Sequence, residues 1–179
     1  MSRILLAVSA SAAIHKACDL ASKLTQEGHE VRVVLTSNAA ELISPQLFEA
    51  LSGQPAQVSE FGDERRAGMD HIELAKWCEL FVFAPATAGS LGRLAGGLAE
   101  NLVTTVALAL PAQTPKLFCP AMNPSMYANP AVRRNIAQLI EDGWLLLEPE
   151  AGRLACEDEG AGRLPEVPQI QGRIRELLN

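Results

Sequence analysis

The sequence has no Cys-x-x-Cys pair, no Gly-x-Gly-x-x-Gly turn, no long basic run and no apolar stretch of bilayer length. Each absence removes a class of function. Cys18, Cys78, Cys119 and Cys156 are scattered and none stands beside a pair of histidines. Neither a zinc site nor a disulfide framework is indicated, and no metal is expected. Without the glycine fingerprint after the first strand, a dinucleotide is not indicated. A net charge of -6 with no basic run argues against nucleic acid or an anionic membrane as partner. The apolar run Ile4 to Val8 behind Met1-Ser2-Arg3 is too short for a signal peptide, and polar residues follow soon after. It reads as the first strand of a cytoplasmic protein.

What is present describes a layered α/β domain. Hydrophobic residues make up 48% of the 179 and charged residues 20%, enough for one domain with a full core. Ile4 to Val8, Val31 to Leu35, Leu80 to Ala84 and Leu117 to Cys119 are continuous apolar runs, as expected of parallel strands buried on both faces. A helix is predicted from about Ala12 to Glu27, with Ala13, Ala17, Leu20, Ala21 and Leu24 on one face and Gly28 as its stop. With the strands on either side it forms a βαβ unit. Further helices are predicted over Asp70–Trp77, Asn101–Leu110 and, after Asn129-Pro130, over a stripe of Val132, Ile136, Leu139 and Ile140. The 101–110 helix is apolar nearly all round, so it lies within the fold or at an interface between copies. A last strand is expected at 145–147 and a last helix over Pro168–Leu178. Pro45 to Leu51 reads as a short helix, and Gln54 to Gly68 as an exposed loop that can cover a site.

Polar chemistry gathers where strands end. Ser9-Ala10-Ser11 leads into the first helix, whose free N–H groups and dipole favour an anion such as a monophosphate; alternatively Ser11 simply caps that helix. Thr36-Ser37-Asn38-Ala39-Ala40 follows the second strand at the same sheet edge. His71 falls in the first turn of its helix, where a neutral imidazole able to accept a proton is favoured; a lone histidine is more often structural or solvated. Pro120-Ala121-Met122-Asn123-Pro124-Ser125-Met126-Tyr127 leaves the fourth apolar run. One amide between two thioethers suits a pocket with one polar contact on an apolar wall, or an ordinary turn with Met as filler. Cys156 differs from the other cysteines, for Glu157-Asp158-Glu159-Gly160 follows it in a glycine-rich loop.

These segments carry a resemblance. The 120–127 stretch is similar to the PxMNxxM(W) signature of the flavin-dependent cysteine decarboxylases. His71 stands in a His-Ile-x-Leu context that resembles the family's active-site histidine. Pro85-Ala86-Thr87-Ala88-Gly89-Ser90 resembles the family's PASANT segment, with Gly89 in place of Asn and Ser90 in place of Thr. Residues 152–163 resemble its substrate flap, roughly A-C-G-x-x-G-x-G-R, with Glu157 in place of Gly. The first turn, which usually contains Gly, has Ala10 and Ala12 here.

The resemblance implies a flavodoxin-like or Rossmann-like three-layer α/β sandwich with a central parallel sheet. It implies one flavoprotein domain over 1–179, its flap at about 152–165. It implies FMN, held by Ser9, Ala10, Ser11, Ser37, Thr87, Ala88, Gly89, Ser90 and Ala121. The substrate contacts are Ala121, Met122 and Asn123, and the catalytic residues His71 and Cys156. The implied activity is that of a carboxy-lyase acting on a small cysteine-containing molecule. 4'-Phospho-N-pantothenoylcysteine would become 4'-phosphopantetheine in coenzyme A synthesis, in a homo-oligomer, trimer or dodecamer. The chemistry has a physical need: loss of CO2 from cysteine leaves an unstabilised carbanion, and oxidising the thiol supplies an electron sink beside the breaking bond. In that scheme His71 helps remove substrate protons, Asn123 orients the carboxylate and Cys156 returns a proton to carbon. Acidic neighbours raise the Cys156 thiol pKa, which suits a proton donor. Relatives acting on peptide C-terminal cysteines generally lack the flap cysteine, and Glu157 keeps that reading open. A flavin-binding regulatory subunit and a prenyl-transferring flavin enzyme are further relatives. The first usually carries an acidic tail; the PxMN segment and Cys156 argue against the second.

Overall fold

The computed structural model describes residues 1–59, 70–153 and 159–179. In chain order its elements are β1 (Arg3–Val8), α1 (Ile14–Gln26), β2 (Glu30–Leu35), α2 (Ser37–Leu42), α3 (Pro45–Ser52) and β3 (Ala56–Gln57). Then come α4 (Asp70–Trp77), β4 (Leu80–Ala86), α5 (Ala88–Ala95), α6 (Leu102–Ala109), β5 (Lys116–Pro120) and α7 (Pro124–Ala128). The chain closes with α8 (Pro130–Glu141), β6 (Leu145–Leu146), β7 (Glu150–Arg153), β8 (Glu159–Arg163) and α9 (Val167–Leu178).

The apolar runs pair as a six-stranded sheet in the order β3-β2-β1-β4-β5-β6, every described pair parallel. Alternate residues of each strand enter opposite cores, because successive side chains point to opposite faces. Ile4, Leu6 and Val8 join Val33, Val82 and Leu117 under α1, α3 and α9, where Leu20, Leu24, Phe48 and Ile170 close the layer. Leu5, Ala7, Phe81, Phe83 and Phe118 face α4, α5, α6 and α8, packing on Leu74, Leu91, Val103 and Leu139. Trp144 stands edge-on to Phe81 and Phe118, with ring centroids 5.7 and 6.2 Å apart. The result is the expected three-layer sandwich. Its strand order reverses between β1 and β4, and in doubly wound sheets that reversal opens a crevice at the carboxyl ends of the strands. No described helix is long and apolar enough to cross a membrane.

Several elements differ from expectation. α1 starts at Ile14 rather than Ala12, so residues 10–13 are a turn and line the crevice rather than the helix. The polar stretch after β2 is a helix, α2, because the Thr36 hydroxyl accepts from the Ala39 N–H and caps it. The segment 54–59, expected as loop, contributes β3, which extends the sheet beyond β2 through Val33 and Val34; residues 60–69 lie outside the described residues. Pro124–Ala128, expected as turn, is the short helix α7. In α8, Ile140 is 47% exposed, one step off the stripe formed by Ile136 and Leu139. The glycine-rich flap is founded on an antiparallel hairpin of β7 and β8, with Gly152 opposite Gly160 and Ala151 opposite Ala161. α6 is mostly buried, capped by a reciprocal pair of hydrogen bonds between Asn101 and Thr104.

Candidate functional site

Ser9 ends β1 at the reversal point and is 1% exposed. Its hydroxyl donates to the Pro85 carbonyl at 2.8 Å and accepts from the Thr87 N–H at 2.9 Å. One small side chain thus ties the end of β1 to the end of β4, where the Ala84–Pro85 peptide is cis. Beyond this tie, β4 shifts register against β5, and Ala121 N–H donates to the Ala86 carbonyl. The ends of β1, β2, β4 and β5 therefore splay around one cavity of about 800 Å³.

Its wall brings together Ser9, Ala10, Ser11, Ser37, Thr87, Ala88, Gly89, Ser90, Ala121, Met122 and Asn123, every residue assigned from sequence to cofactor or substrate contact. The Ser11 hydroxyl accepts from the Ala13 N–H at 3.3 Å and supports the turn rather than capping α1 directly. Thr87 Oγ1 donates to Ser90 Oγ at 3.2 Å. Asn123 caps α7, its Oδ1 accepting from the Ser125 N–H at 2.8 Å, so the side chain is held at the cavity rim. Tyr127, which ends the signature, is buried beneath the rim, its hydroxyl donating to Glu148 and its ring under the Arg133 guanidinium. Burial and the Glu148 carboxylate push its pKa up to about 12. It stays a neutral donor and is structural.

β8 forms the remaining wall. The Met122 N–H donates to the Gly162 carbonyl at 2.9 Å, which lays the hairpin on the signature segment. A Cβ on Gly162 (φ +145°) would stand 2.2 Å from the Met122 carbonyl oxygen, and one on Gly160 (φ +154°) 2.9 Å from the Pro124 ring. The flap's two spaced glycines are thus the condition for this close approach.

His71 stands apart from this set. His71 is in the first turn of α4 as expected and half-buried, but it is not part of the cavity wall. α4 packs on α6, whose capping Asn101 does line the cavity. Cys156 lies outside the described residues. Sequence reasoning missed the wall's charge. Lys16, Arg93 and Arg163 line the cavity, and among its described residues there is no Asp or Glu. The signal was present in outline, since Lys16 follows the first turn by one helical turn and Arg93 follows Gly89 by four residues. The Arg93 guanidinium folds back to the Gly89 carbonyl at 3.2 Å and donates to Glu100 at 2.7 Å.

The donor set fits a flavin mononucleotide. Three helices, α1, α2 and α5, start at the cavity, and their free N–H groups with Ser37 and Thr87 suit a phosphate dianion. Ala10, Ala88, Gly89, Ala121 and Met122 leave a low apolar wall suited to a flat ring system.

Comparison with known proteins agrees. The family described as Flavoprotein matches residues 1–179. A probable phosphopantothenoylcysteine decarboxylase of Streptococcus mutans is 44% identical over 176 residues, 98% of both chains. The coenzyme A biosynthesis bifunctional protein CoaBC of Bacillus subtilis is 44% identical over 167 residues, which are 93% of this chain and 41% of that one. Among solved structures, a PPC decarboxylase mutant complexed with pantothenoylaminoethenethiol superposes with a TM-score of 0.87 at 33% identity, covering 99% of this chain and 98% of that one. The FMN binding protein AtHal3 does so with a TM-score of 0.82 at 34% identity, covering 97% and 95%.

Proposed function

Since the chain belongs to the Flavoprotein family, we propose that it is an FMN-dependent carboxy-lyase converting 4'-phospho-N-pantothenoylcysteine to 4'-phosphopantetheine in coenzyme A synthesis. The observation that carries this reading is the convergence of the hydroxyl turns after β1 and β4, the Asn123 segment and the glycine-seated β8 on one cavity. A relative matched over 98% of both chains bears the corresponding name.

FMN, when bound, supplies a two-electron sink for the substrate thiol. The chain does the rest. The starts of α1, α2 and α5 would hold the cofactor's phosphate, and Ala88, Gly89 and Ala121 would line its ring. Asn123, fixed by its bond to Ser125, orients the substrate carboxylate against the apolar Met122 and Ala121. An amide can donate to a carboxylate without the repulsion that a second carboxylate would bring. His71 accepts substrate protons, and Cys156 delivers a proton to carbon after CO2 has left. Because His71 is outside the wall formed by one chain, it acts where copies of the chain meet. Leu98 and Leu108, 49% and 46% exposed beside α5 and α6, suit an apolar contact there. The assembly is a homo-oligomer, trimer or dodecamer, in the cytoplasm, built from the single domain 1–179.

The test is anaerobic incubation of the FMN-loaded protein with phosphopantothenoylcysteine and, separately, with a peptide ending in cysteine, followed by mass spectrometry. The reading requires CO2 and saturated 4'-phosphopantetheine from the first. Turnover of the peptide alone, or FMN bound with no product, would overturn it.

A further inference from the structure

Lys16 stands in the first turn of α1, and its side chain is only 13% exposed. Nζ donates to the Leu164 carbonyl at 2.9 Å and lies 3.0 Å from Glu166 Oε1. The same carboxylate receives the Arg163 guanidinium. The hydrogen bond from Lys16, more than any other contact, holds the Glu166 carboxyl below the usual carboxylate range. Glu166 also opens α9, its N–H donating to Gln169 at 2.8 Å. An exposed ion pair would mean little here. The bond that matters is the charge-assisted one from a largely buried ammonium to a main-chain carbonyl.

That carbonyl belongs to the strand end that the cavity uses. β8 is gripped twice within three residues: the Met122 N–H holds the Gly162 carbonyl, and Lys16 holds the Leu164 carbonyl. Both grips come from residues of the cavity wall. A slip of β8 by one residue would exchange its faces and lift Gly162 off Met122. Leu164, fully buried under α1, resists such a slip only if the main chain beside it is fixed. With Glu166 beside it, Lys16 is also matched in charge, so it is not an open anion ligand of the cavity.

We infer that Lys16 is a positioning residue for the reaction proposed above, acting through Leu164 and Glu166 to fix β8 against the Met122–Asn123 backbone. It sets where the carboxylate-orienting Asn123 and the hairpin stand relative to the turn that holds the cofactor. The inference rests on the proposed reaction for its consequence, but not for its test.

Lys16→Met keeps the length of the buried stem and removes the charge and the donors. Amide hydrogen exchange is read by mass spectrometry on FMN-loaded protein, over peptides spanning 119–124 and 150–163. FMN affinity and kcat are measured on the same samples. Exchange of the Met122 amide and of the hairpin should rise about tenfold, the equivalent of one charge-assisted hydrogen bond. The same variant should lose about tenfold in kcat with FMN affinity within about threefold, and Lys16→Arg should restore both. Unchanged exchange in Lys16→Met overturns the inference. So does Lys16→Arg behaving like Lys16→Met, or a large loss of FMN affinity with exchange unchanged, which would make Lys16 a cofactor ligand. If Lys16→Met does not fold, Lys16→Ala carries the same test, since it too removes the donor to the Leu164 carbonyl. Exchange needs no substrate, so a wild-type protein inactive on phosphopantothenoylcysteine would sink the proposed reaction and leave the role of Lys16 decided separately.

Discussion

Gly162→Ala is the sharpest single perturbation the site offers. The added methyl would sit 2.2 Å from the Met122 carbonyl oxygen and 3.3 Å from its carbonyl carbon. A carbon–oxygen contact needs roughly 1 Å more than that, and both groups are main chain, so neither can swing aside. β8 must lift, and the 2.9 Å bond from Met122 N–H to the Gly162 carbonyl breaks. Leaving that buried N–H unsatisfied costs about 1–3 kcal/mol. A non-glycine residue at φ +145° adds about 1–3 kcal/mol of strain. The sum, about 2–6 kcal/mol, exceeds what a two-stranded hairpin outside the main sheet can bear. The variant should therefore unseat the hairpin and leave the six-stranded core folded. Thermal unfolding should shift by only a few degrees, while exchange over 150–163 rises at least about thirtyfold and kcat falls by about two orders of magnitude. Gly53→Ala is the control, for Gly53 has φ +69°, nothing within 4 Å and a place at the end of α3. It should cost about 1 kcal/mol of stability without touching kcat. Gly162→Ala with native exchange and native turnover would refute the reasoning, since it would mean that β8 need not lie on Met122.

Asn123→Asp keeps the cap of α7, because Asp and Asn serve equally there, yet in the proposed reaction it would set a negative charge against the substrate carboxylate. Turnover should fall at least about a thousandfold with Tm unchanged, by circular dichroism and product assay, and near-wild-type rates would remove that role from Asn123. Cys156→Ser should still release CO2 but accumulate the oxidised ene-thiol; saturated product from this variant would show that another group supplies the proton. Burial pushes the Cys78 thiol up to about 12 and Cys119 higher still. At pH 8 roughly one Cys78 in ten thousand is then a thiolate. Iodoacetamide at that pH should leave both unlabelled in the native protein and label them once urea unfolds it, and native labelling of either would contradict their burial.

The strands were legible because strands buried on both faces must be apolar throughout, as Ile4–Val8 and Leu80–Ala84 are. Their polar ends were legible for the same reason, since Ser9, Thr87 and Asn123 interrupt runs that have no other call for polarity. Convergence on one edge then followed from parallel pairing. The short helices α2 and α7 were not legible, because each depends on one side-chain bond, from Thr36 or Asn123, in a segment whose composition is that of a turn. The hairpin was hidden for a different reason. Glycine-rich sequence carries little strand propensity, and β8 is a strand because Met122 and Pro124 lie under Gly162 and Gly160. Lys16 reads as a solvated helix residue until the chain 148 positions on, at Leu164, is brought against it.

The sign of the cavity wall has a consequence for traffic. The chain as a whole carries -6, and the wall's three cations are each paired, Lys16 and Arg163 with Glu166 and Arg93 with Glu100, so what the cavity offers an anion is chiefly the positive ends of α1, α2 and α5. A small dianion approaching from afar meets a repelling body and, only within about a Debye length of the opening, an attracting one. Capture is therefore focused at the mouth, and encounter should slow as salt rises.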